Sequence, residues 1–327
     1  MFVPTTFAAA LLMTILSTIC WGSFANTYKV TRHYRFELYY WDYAAGIFLI
    51  SIILALTMGT LPGVAGSFPV NLRTAAPSNL AWAAIGGFIF NIANVLLIAG
   101  IEIVGLAIAF PISIGIALVE GVVLSYAIQP KGNAALLGSG VILAVIAVIL
   151  IGKAYGQLQG SNASVSRRGV LVCIVSGLLM GTFAPFVTRA MTAARPLTPY
   201  TVAVLFTFGA VVCCFVFNTV LMRKPLVGGP VGFSGYRRAP ASYHLLGLLG
   251  GVVWGIGTVF NFVAASLVGV AISYAIGQAS PMIAALWGVF VWHEFRGSSA
   301  RAKFYLAGMF AAYVGALVLI ARAYGSA

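Results

Sequence analysis

The stretches Val104-Gly-Leu-Ala-Ile-Ala-Phe-Pro-Ile112 and Val268-Gly-Val-Ala-Ile-Ser-Tyr-Ala-Ile276 read as two copies of one segment. Lying 164 positions apart, they share Val104/Val268, Gly105/Gly269, Ala107/Ala271, Ile108/Ile272 and Ile112/Ile276. The same offset aligns Gly86-Gly87 with Gly250-Gly251, and Gly22-Ser-Phe-Ala25 echoes Gly181-Thr-Phe-Ala184 at an offset of 159. In an apolar chain, duplicated halves mark carriers whose solute site lies between the repeats.

The rest of the chain is as apolar as that reading requires. Of its 327 residues, 61% are hydrophobic and only 7% charged, with a mean hydropathy of +1.05. Soluble domains carry about 25% charged residues, so no soluble surface can be built here. The 37 glycines, with abundant Ala and Ser, let membrane helices approach closely. The fold class is therefore all-α, a polytopic membrane protein.

A spanning helix needs about 20 mostly apolar residues. Ten segments qualify: 6–26, 38–60, 79–100, 104–128, 134–152, 169–190, 198–222, 242–267, 270–293 and 302–322. Short links with Pro or Gly separate them, as at Pro62-Gly63, Gln129-Pro-Lys-Gly132 and Gly297-Ser298. The polar stretch 153–168 divides the chain into an N-terminal half, 1–152, and a C-terminal half, 169–327. Five helices is an odd number, so the second copy is expected to sit inverted in the bilayer.

Lys and Arg placement sets the expected orientation. The odd-numbered connections carry thirteen bases, among them Lys29, Arg32, Arg35, Arg223, Arg237 and Arg296; the other side carries Arg73, Lys131, Arg189, Arg195 and Arg322. This puts the odd connections and the linker in the cytoplasm and both termini outside, in a cell membrane. The charge of +13 then anchors the chain to anionic lipid rather than to nucleic acid. The same topology discounts Asn162-Ala-Ser164 as a glycosylation acceptor. No base precedes the first helix, which reads against a cleaved signal peptide. Cys20, Cys173, Cys213 and Cys214 fall in spans without metal-like spacing and read as packing residues.

Only five acids occur: Glu37, Asp42, Glu102, Glu120 and Glu294. Glu37, Glu102 and Glu294 read as interfacial charges or salt-bridge partners. Asp42, flanked by Tyr40, Trp41 and Tyr43, is deeper. Glu120 lies within helix four with no base nearby, where hydrocarbon penalises the charged carboxylate. Glu120, with Asp42 beside it as a candidate, is expected to carry reversible protonation. An uncharged acid bonded to a neighbouring helix is the plainer alternative.

Neutral polar and aromatic residues recur at helical spacing. Trp254, Thr258 and Asn261 share one face of helix eight, as do Tyr274 and Gln278 on helix nine. Asn91 and Asn94 are three apart on helix three, Asn94 aligns with Thr258, and Trp21 precedes the duplicated Gly-Ser/Thr-Phe-Ala unit. Convergent amides with aromatic faces suit a neutral, hydrogen-bonding solute. Taken singly, each amide could instead bond helix to helix, worth about 0.6 kcal/mol. Pro111 and Pro281 are expected to interrupt helices four and nine, freeing backbone groups to line a cavity.

The run Gly250-Gly-Val-Val-Trp-Gly-Ile-Gly-Thr-Val-Phe-Asn-Phe262, with Gly269-Val-Ala271, Gln278 and His293-Glu-Phe-Arg296, resembles the drug/metabolite transporter superfamily of ten-helix carriers. Within it the chain is similar to the bacterial glucose/ribose porters and to the plant ureide permeases, the latter also through Trp41-Asp-Tyr43 and Ala55-Leu-Thr-Met-Gly59. The resemblance implies two inverted five-helix repeats around a central cavity. It implies uptake of sugars in one group and of ureides or nucleobases in the other, with Trp254, Asn261 and Gln278 as cavity residues. Thr258 stands where the sugar-porter pattern Trp-Gly-Ile-Gly-Asn has its amide.

The resulting expectation is a secondary carrier that imports a small neutral polar metabolite with protons by alternating access, without a cofactor. Na⁺ coupling stays open, as does the oligomeric state, with a monomer sufficient. A drug exporter is the alternative within transport. No Gly-x-x-x-x-Gly-Lys-Ser/Thr loop or Gly-x-Ser-x-Gly elbow occurs, and His33, His244 and His293, each near a helix end, form no close His/acid cluster for metal catalysis, which argues against ATP-driven transport and a membrane enzyme. A scaffold without transport leaves the duplicated polar helices without a purpose.

Overall fold

The structure, a computed structural model, describes residues 1–31, 34–60, 66–159 and 166–325. Among them there are ten helices long and apolar enough to span a bilayer. They are α1 (Phe7–Val30), α2 (Phe36–Thr57), α3 (Pro77–Val104), α4 (Ile108–Ile128), α5 (Ala134–Leu158), α6 (Arg167–Thr192), α7 (Pro199–Arg223), α8 (Ala241–Val268), α9 (Val270–Val291) and α10 (Ala300–Tyr324). Helix is the only open-ended element that satisfies every backbone group within its own segment in hydrocarbon. Thr6 and Ser166 cap α1 and α6 by accepting from the amides of Ala9 and Gly169, while proline opens α3 and α7. Leu12, Leu245, Phe290 and Phe304 are exposed on the outside, as lipid-facing side chains must be.

The same contacts recur five helices apart. α3 packs on α6 and α7 and α4 on α6, just as α8 packs on α1 and α2 and α9 on α1. α5 runs along α10, α4 touches α9 and α2 touches α7. The duplicated glycines explain part of this. A Cβ on Gly87 would overlap the backbone of Phe206, and one on Gly251 the carbonyl of Tyr43, so α3/α7 and α8/α2 cross backbone to backbone. Gly105 and Gly269 turn α3 into α4 and α8 into α9 with φ of 77° and 85°, a region nearly closed to other residues. The helices they terminate start and end 164 positions apart.

Several boundaries differ from the sequence expectation. α3 runs to Val104 and so contains Glu102, which the sequence placed in a link. Residues 153–159 continue the fifth helix instead of opening the linker, and Arg167-Arg168 begin the sixth. Two of the polar side chains there have partners, Lys153 lying 5.7 Å from the centre of the Tyr305 ring and Tyr155 bonded to Glu294. Pro62-Gly63, Arg32, His33 and Asn162-Ala-Ser164 lie outside the described residues. Pro111 does not interrupt its helix, which is continuous from Leu106 to Ile128. It falls in the second turn, where the missing N–H deprives a single carbonyl. Pro281 does mark a break, since α9 divides into Val270–Gly277 and Ser280–Leu286 at Gln278 and Ala279.

An alanine at Gly269 has to enter a backbone conformation costing about 1–3 kcal/mol. Gly269→Ala should lower the melting temperature of the detergent-purified protein, measured by tryptophan fluorescence. Gly66→Ala, where a Cβ meets nothing within 4 Å, should leave it unchanged.

Candidate functional site

The break in α9 sits against α1. The hydroxyl of Thr18 in α1, 2.8 Å from the carbonyl of Thr14, also lies 3.1 Å from the carbonyl of Ile276, which accepts the Ala279 amide at 3.0 Å beside the break. Trp21, one turn on, lies over Gly277, where any Cβ would strike its ring. The Trp21 indole donates to Thr258 Oγ1 at 3.1 Å and stacks on Trp254 with centroids 6.0 Å apart. Trp254 stacks in turn on Phe90 of α3 at 4.8 Å. α1, α3, α8 and the break of α9 thereby meet around one space.

That space is a cavity of about 380 Å³. Trp21, Phe90, Phe183, Phe206, Trp254 and Phe262 supply its aromatic wall, and Asn94, Thr258, Gln278 and Ser280 neutral polar groups. The Gln278 amide, on a residue 7% exposed, has no hydrogen-bond partner among the described residues. From there the cavity runs past Tyr28, Phe36 and Tyr39 to the exposed Glu102, at the end of the bundle that carries the odd-numbered connections. Lining residues fall in pairs at the repeat offset of 164: Phe90 with Trp254, Asn94 with Thr258, Ile98 with Phe262, and Ile114 with Gln278.

Five of the eight solute-site residues expected from the sequence line this cavity: Trp21, Asn94, Trp254, Thr258 and Gln278. The structure places the other three in the packing behind the wall. Asn261 donates to the carbonyl of Ser273 at 3.0 Å and to Ser17 Oγ at 3.4 Å, bracing α8 against α9 and α1. Tyr274 donates to the carbonyl of Ala117 at 3.1 Å, with that of Met180 at 3.4 Å. Asn91 accepts the Tyr40 hydroxyl at 2.6 Å. Each lies on the expected helix but is used by a neighbouring one. The wall residues that sequence reasoning missed are mainly Phe90, Phe183 and Phe206. The offset that paired Asn94 with Thr258 also pairs Phe90 with Trp254, a signal that was present.

The two candidate proton groups lie off the cavity. Glu120 sits where α4 crosses α6. Its Oε1 lies 3.0 Å from the Thr182 hydroxyl, whose proton it shares with the carbonyl of Leu178 at 2.6 Å, its Oε2 is buried with no hydrogen-bond partner among the described residues, and Gly181 leaves room for it. Asp42 is held by two groups at the odd-connection end, Tyr236 Oη at 2.6 Å and His244 Nδ1 at 2.8 Å. Burial, and then the Asp42 carboxylate, push the Tyr236 phenol above its ordinary range. Glu37 pairs with Arg35 at 2.6 Å, and Glu294 with Lys29. Glu102 alone of the five acids makes no hydrogen bond among the described residues.

The opposite end of the bundle is tied across. Asn71 donates to the carbonyl of Pro196 at 3.0 Å and accepts from the amide of Thr198 at 2.8 Å. Asn79 donates to the carbonyls of Ala194 and Arg195, both at 3.0 Å. Lys131, its ammonium destabilised by burial so that its pKa falls, donates to the carbonyl of Leu267 at 2.8 Å.

The profile of the family described as "Sugar transport protein" matches residues 12–321. Ureide permease 5 of Arabidopsis thaliana is 23% identical over 97% of this chain and 94% of its own length. Ureide permease 4 of the same plant is 22% identical over 99% of both chains. One solved crystal structure superposes with a TM-score of 0.65 over 96% of this chain and 99% of its own, at 16% identity, and so shares the fold.

Each clamp hydrogen bond is worth about 1 kcal/mol net. Replacing both Asn71 and Asn79 by Ala should therefore speed amide exchange in residues 194–198 by about tenfold or more, read by hydrogen–deuterium exchange mass spectrometry. Exchange in residues 34–39, at the other end, should not change.

Proposed function

This chain belongs to the sugar transport protein family, and from that premise we propose that it imports a small neutral polar metabolite with protons, by alternating access between two inverted five-helix repeats. It is a multi-pass membrane transporter of small metabolites and not an enzyme, as its permease relatives are. The halves are α1–α5 and α6–α10, the bounds 1–152 and 169–327 widening to the helix ends at Gln159 and Arg167. The solute is a sugar, as the family's description has it, or a ureide, as the relatives' names have it, or a nucleobase, which offers a similar flat ring with a polar edge.

The observation that carries this reading is the shape and lining of one cavity. It lies among helices of both halves, part of its wall is built from residues paired at the repeat offset, and it is mainly apolar, with Asn94, Thr258, Gln278 and Ser280, the hydroxyls of Tyr28 and Tyr39, and a terminal carboxylate as its polar groups. Aromatic faces can stack on a flat or ring-shaped solute while Asn94, Thr258 and Gln278 address its polar edge. The cavity extends to the odd-connection end, while the asparagine clamp ties the other. With the odd connections in the cytoplasm and both termini outside, this is the cytoplasm-facing arm of an alternating-access cycle. Breaking the clamp while closing the Tyr28/Phe36/Glu102 end would produce the opposite arm.

Glu120 is the proposed coupling group. It reaches from α4 of the first half to Thr182 of the second, and its unbonded Oε2 is free to take a proton. Protonation changes what that carboxyl can offer across the contact between halves, which is where rocking must occur. Asp42, already bonded to His244 and Tyr236, fits a latch on the loop helix Phe233–Arg238 better than it fits a site facing solute.

In proteoliposomes, an inward proton gradient should drive accumulation of labelled allantoin, uracil or glucose above equilibrium. Glu120→Gln should abolish that accumulation and keep solute exchange. Normal accumulation by the Gln variant would remove Glu120 from the coupling scheme, and absence of uptake for the whole set would end the transport reading.

A further inference from the structure

A second cavity, of about 660 Å³, lies at the even-connection end and shares no lining residue with the solute cavity. Its walls come from the N-terminal segment and the loop helix Phe68–Thr74 in the first half, and from the connection 193–198 and the end of α8 in the second. The asparagine clamp is part of the wall, since Asn71 bonds to Pro196 and Thr198 there.

Arg195 lines this cavity from a backbone with φ of 50°, a left-handed conformation that glycine or asparagine enters at less cost. Its carbonyl is held from two sides, by the Asn79 side chain at 3.0 Å and the Ala76 amide at 3.2 Å, so the root of the side chain is fixed at the cavity. The guanidinium is exposed and makes no hydrogen bond or ion pair among the described residues. No acidic side chain shares its end of the bundle. Glu37, Asp42, Glu102 and Glu294 lie at the odd-connection end, and Glu120 at the crossing of α4 and α6.

The other polar side chains of the lining are committed. Thr74 donates to the carbonyl of Val70 at 3.0 Å, Ser266 donates to that of Val263 at 2.7 Å, and Thr198 shares a proton with Thr201 at 2.9 Å. Asn71 serves the clamp. Around them stand Val3, Pro4, Pro196, Leu197, Pro199 and Leu267. Five uncommitted guanidinium N–H donors in apolar surroundings fit one oxyanion carried on an apolar body. A neutral solute gains little from such a charge, so this is no second copy of the solute site.

We infer that this cavity is an effector site for a small amphipathic oxyanion, a carboxylate or phosphate on an apolar body, bound by Arg195, and that its occupant holds the even-connection end shut. Opening that end parts the two halves at the clamp, and the cavity borders both, so a ligand touching both favours the closed form by mass action. Two sources supply this chemistry, a free organic anion and the headgroup of an anionic lipid. Binding needs no transport; only the meaning of a shut end rests on the transport reading above.

The test is hydrogen–deuterium exchange in residues 68–75 and 194–198 of the full chain in phosphatidylcholine nanodiscs. Benzoate, its neutral analogue benzamide, and partial replacement of the lipid by phosphatidylglycerol are compared in the wild type, Arg195→Asn and Arg189→Gln. Benzoate should slow exchange in both segments, about tenfold at ten times the concentration that halves the rate, and leave residues 34–39 unchanged. Benzamide should have no effect. Arg195→Asn suits the left-handed backbone but lacks the charge, and should abolish the protection. Arg189→Gln removes an exposed cation of the same end outside the cavity, and should keep it. Protection by phosphatidylglycerol to which benzoate adds nothing supports the site with lipid as its source. Equal protection by benzoate and benzamide overturns the inference, and decides the matter even if Arg195→Asn does not fold. So does protection that survives in Arg195→Asn, or none from either anion. No arm measures uptake, so a failure here is separate from a failure of the transport reading.

Discussion

In hydrocarbon every backbone polar group needs a partner, and this constraint organises the molecule. It makes each span a helix, and it makes any interruption depend on its neighbours. The interruption of α9 at Gln278 and Ala279 is tolerated because local backbone bonds bridge it, the amide of Gln278 donating to the carbonyl of Tyr274 at 2.9 Å and that of Ala279 to the carbonyl of Ile276 at 3.0 Å. Thr18 of α1 comes within 3.1 Å of that same Ile276 carbonyl. That contact brings α1 close enough for Trp21 to lie over Gly277 and for its indole to reach Thr258. The break, the tryptophan and the cavity wall are consequences of one another, so the site is found where the backbone departs from regularity.

Close approach is the second constraint. Without a hydrophobic force between helices in lipid, the bundle is held by backbone proximity and by a few hydrogen bonds. Gly87 and Gly251 provide the proximity at equivalent crossings, α3 with α7 and α8 with α2. Such bonds tie both ends. Asn71, Asn79 and Lys131 bind carbonyls across the even-connection end, while at the odd-connection end Arg35 binds the carbonyls of Val227 and Gly229, Asn218 binds that of Glu37, and Lys29 pairs with Glu294. What distinguishes the odd-connection end is that the cavity reaches it at Glu102.

The polar groups that a sequence reader notices divide by what their helix neighbours demand of them. Asn261 and Tyr274 share helix faces with Trp254 and Gln278, yet both are occupied by backbone carbonyls of adjoining helices. Asn91 and Asn94 are three residues apart, but only Asn94 reaches the cavity, while Asn91 accepts the hydroxyl of Tyr40 from the neighbouring helix. Helical spacing identifies a shared face about as wide as two neighbours. It does not say which of them faces a partner helix and which faces open space.

Ten spans, two halves and the equivalence of residues 164 apart are properties of the linear chain, because hydropathy and duplication are both read along it. The same offset that set Asn94 opposite Thr258 set Phe90 opposite Trp254, so part of the wall was legible in principle from one alignment. The break at Pro281 was legible from a proline in a long apolar run. The continuity of α4 through Pro111 was not, since the cost of a proline depends on how near it falls to a helix start. Nor were the true partners of Asn261, Tyr274, Glu120 and Asp42 readable. Each is bonded to a residue remote in the chain, and only the packing of helices decides whether a polar side chain meets a carbonyl, a hydroxyl or a cavity.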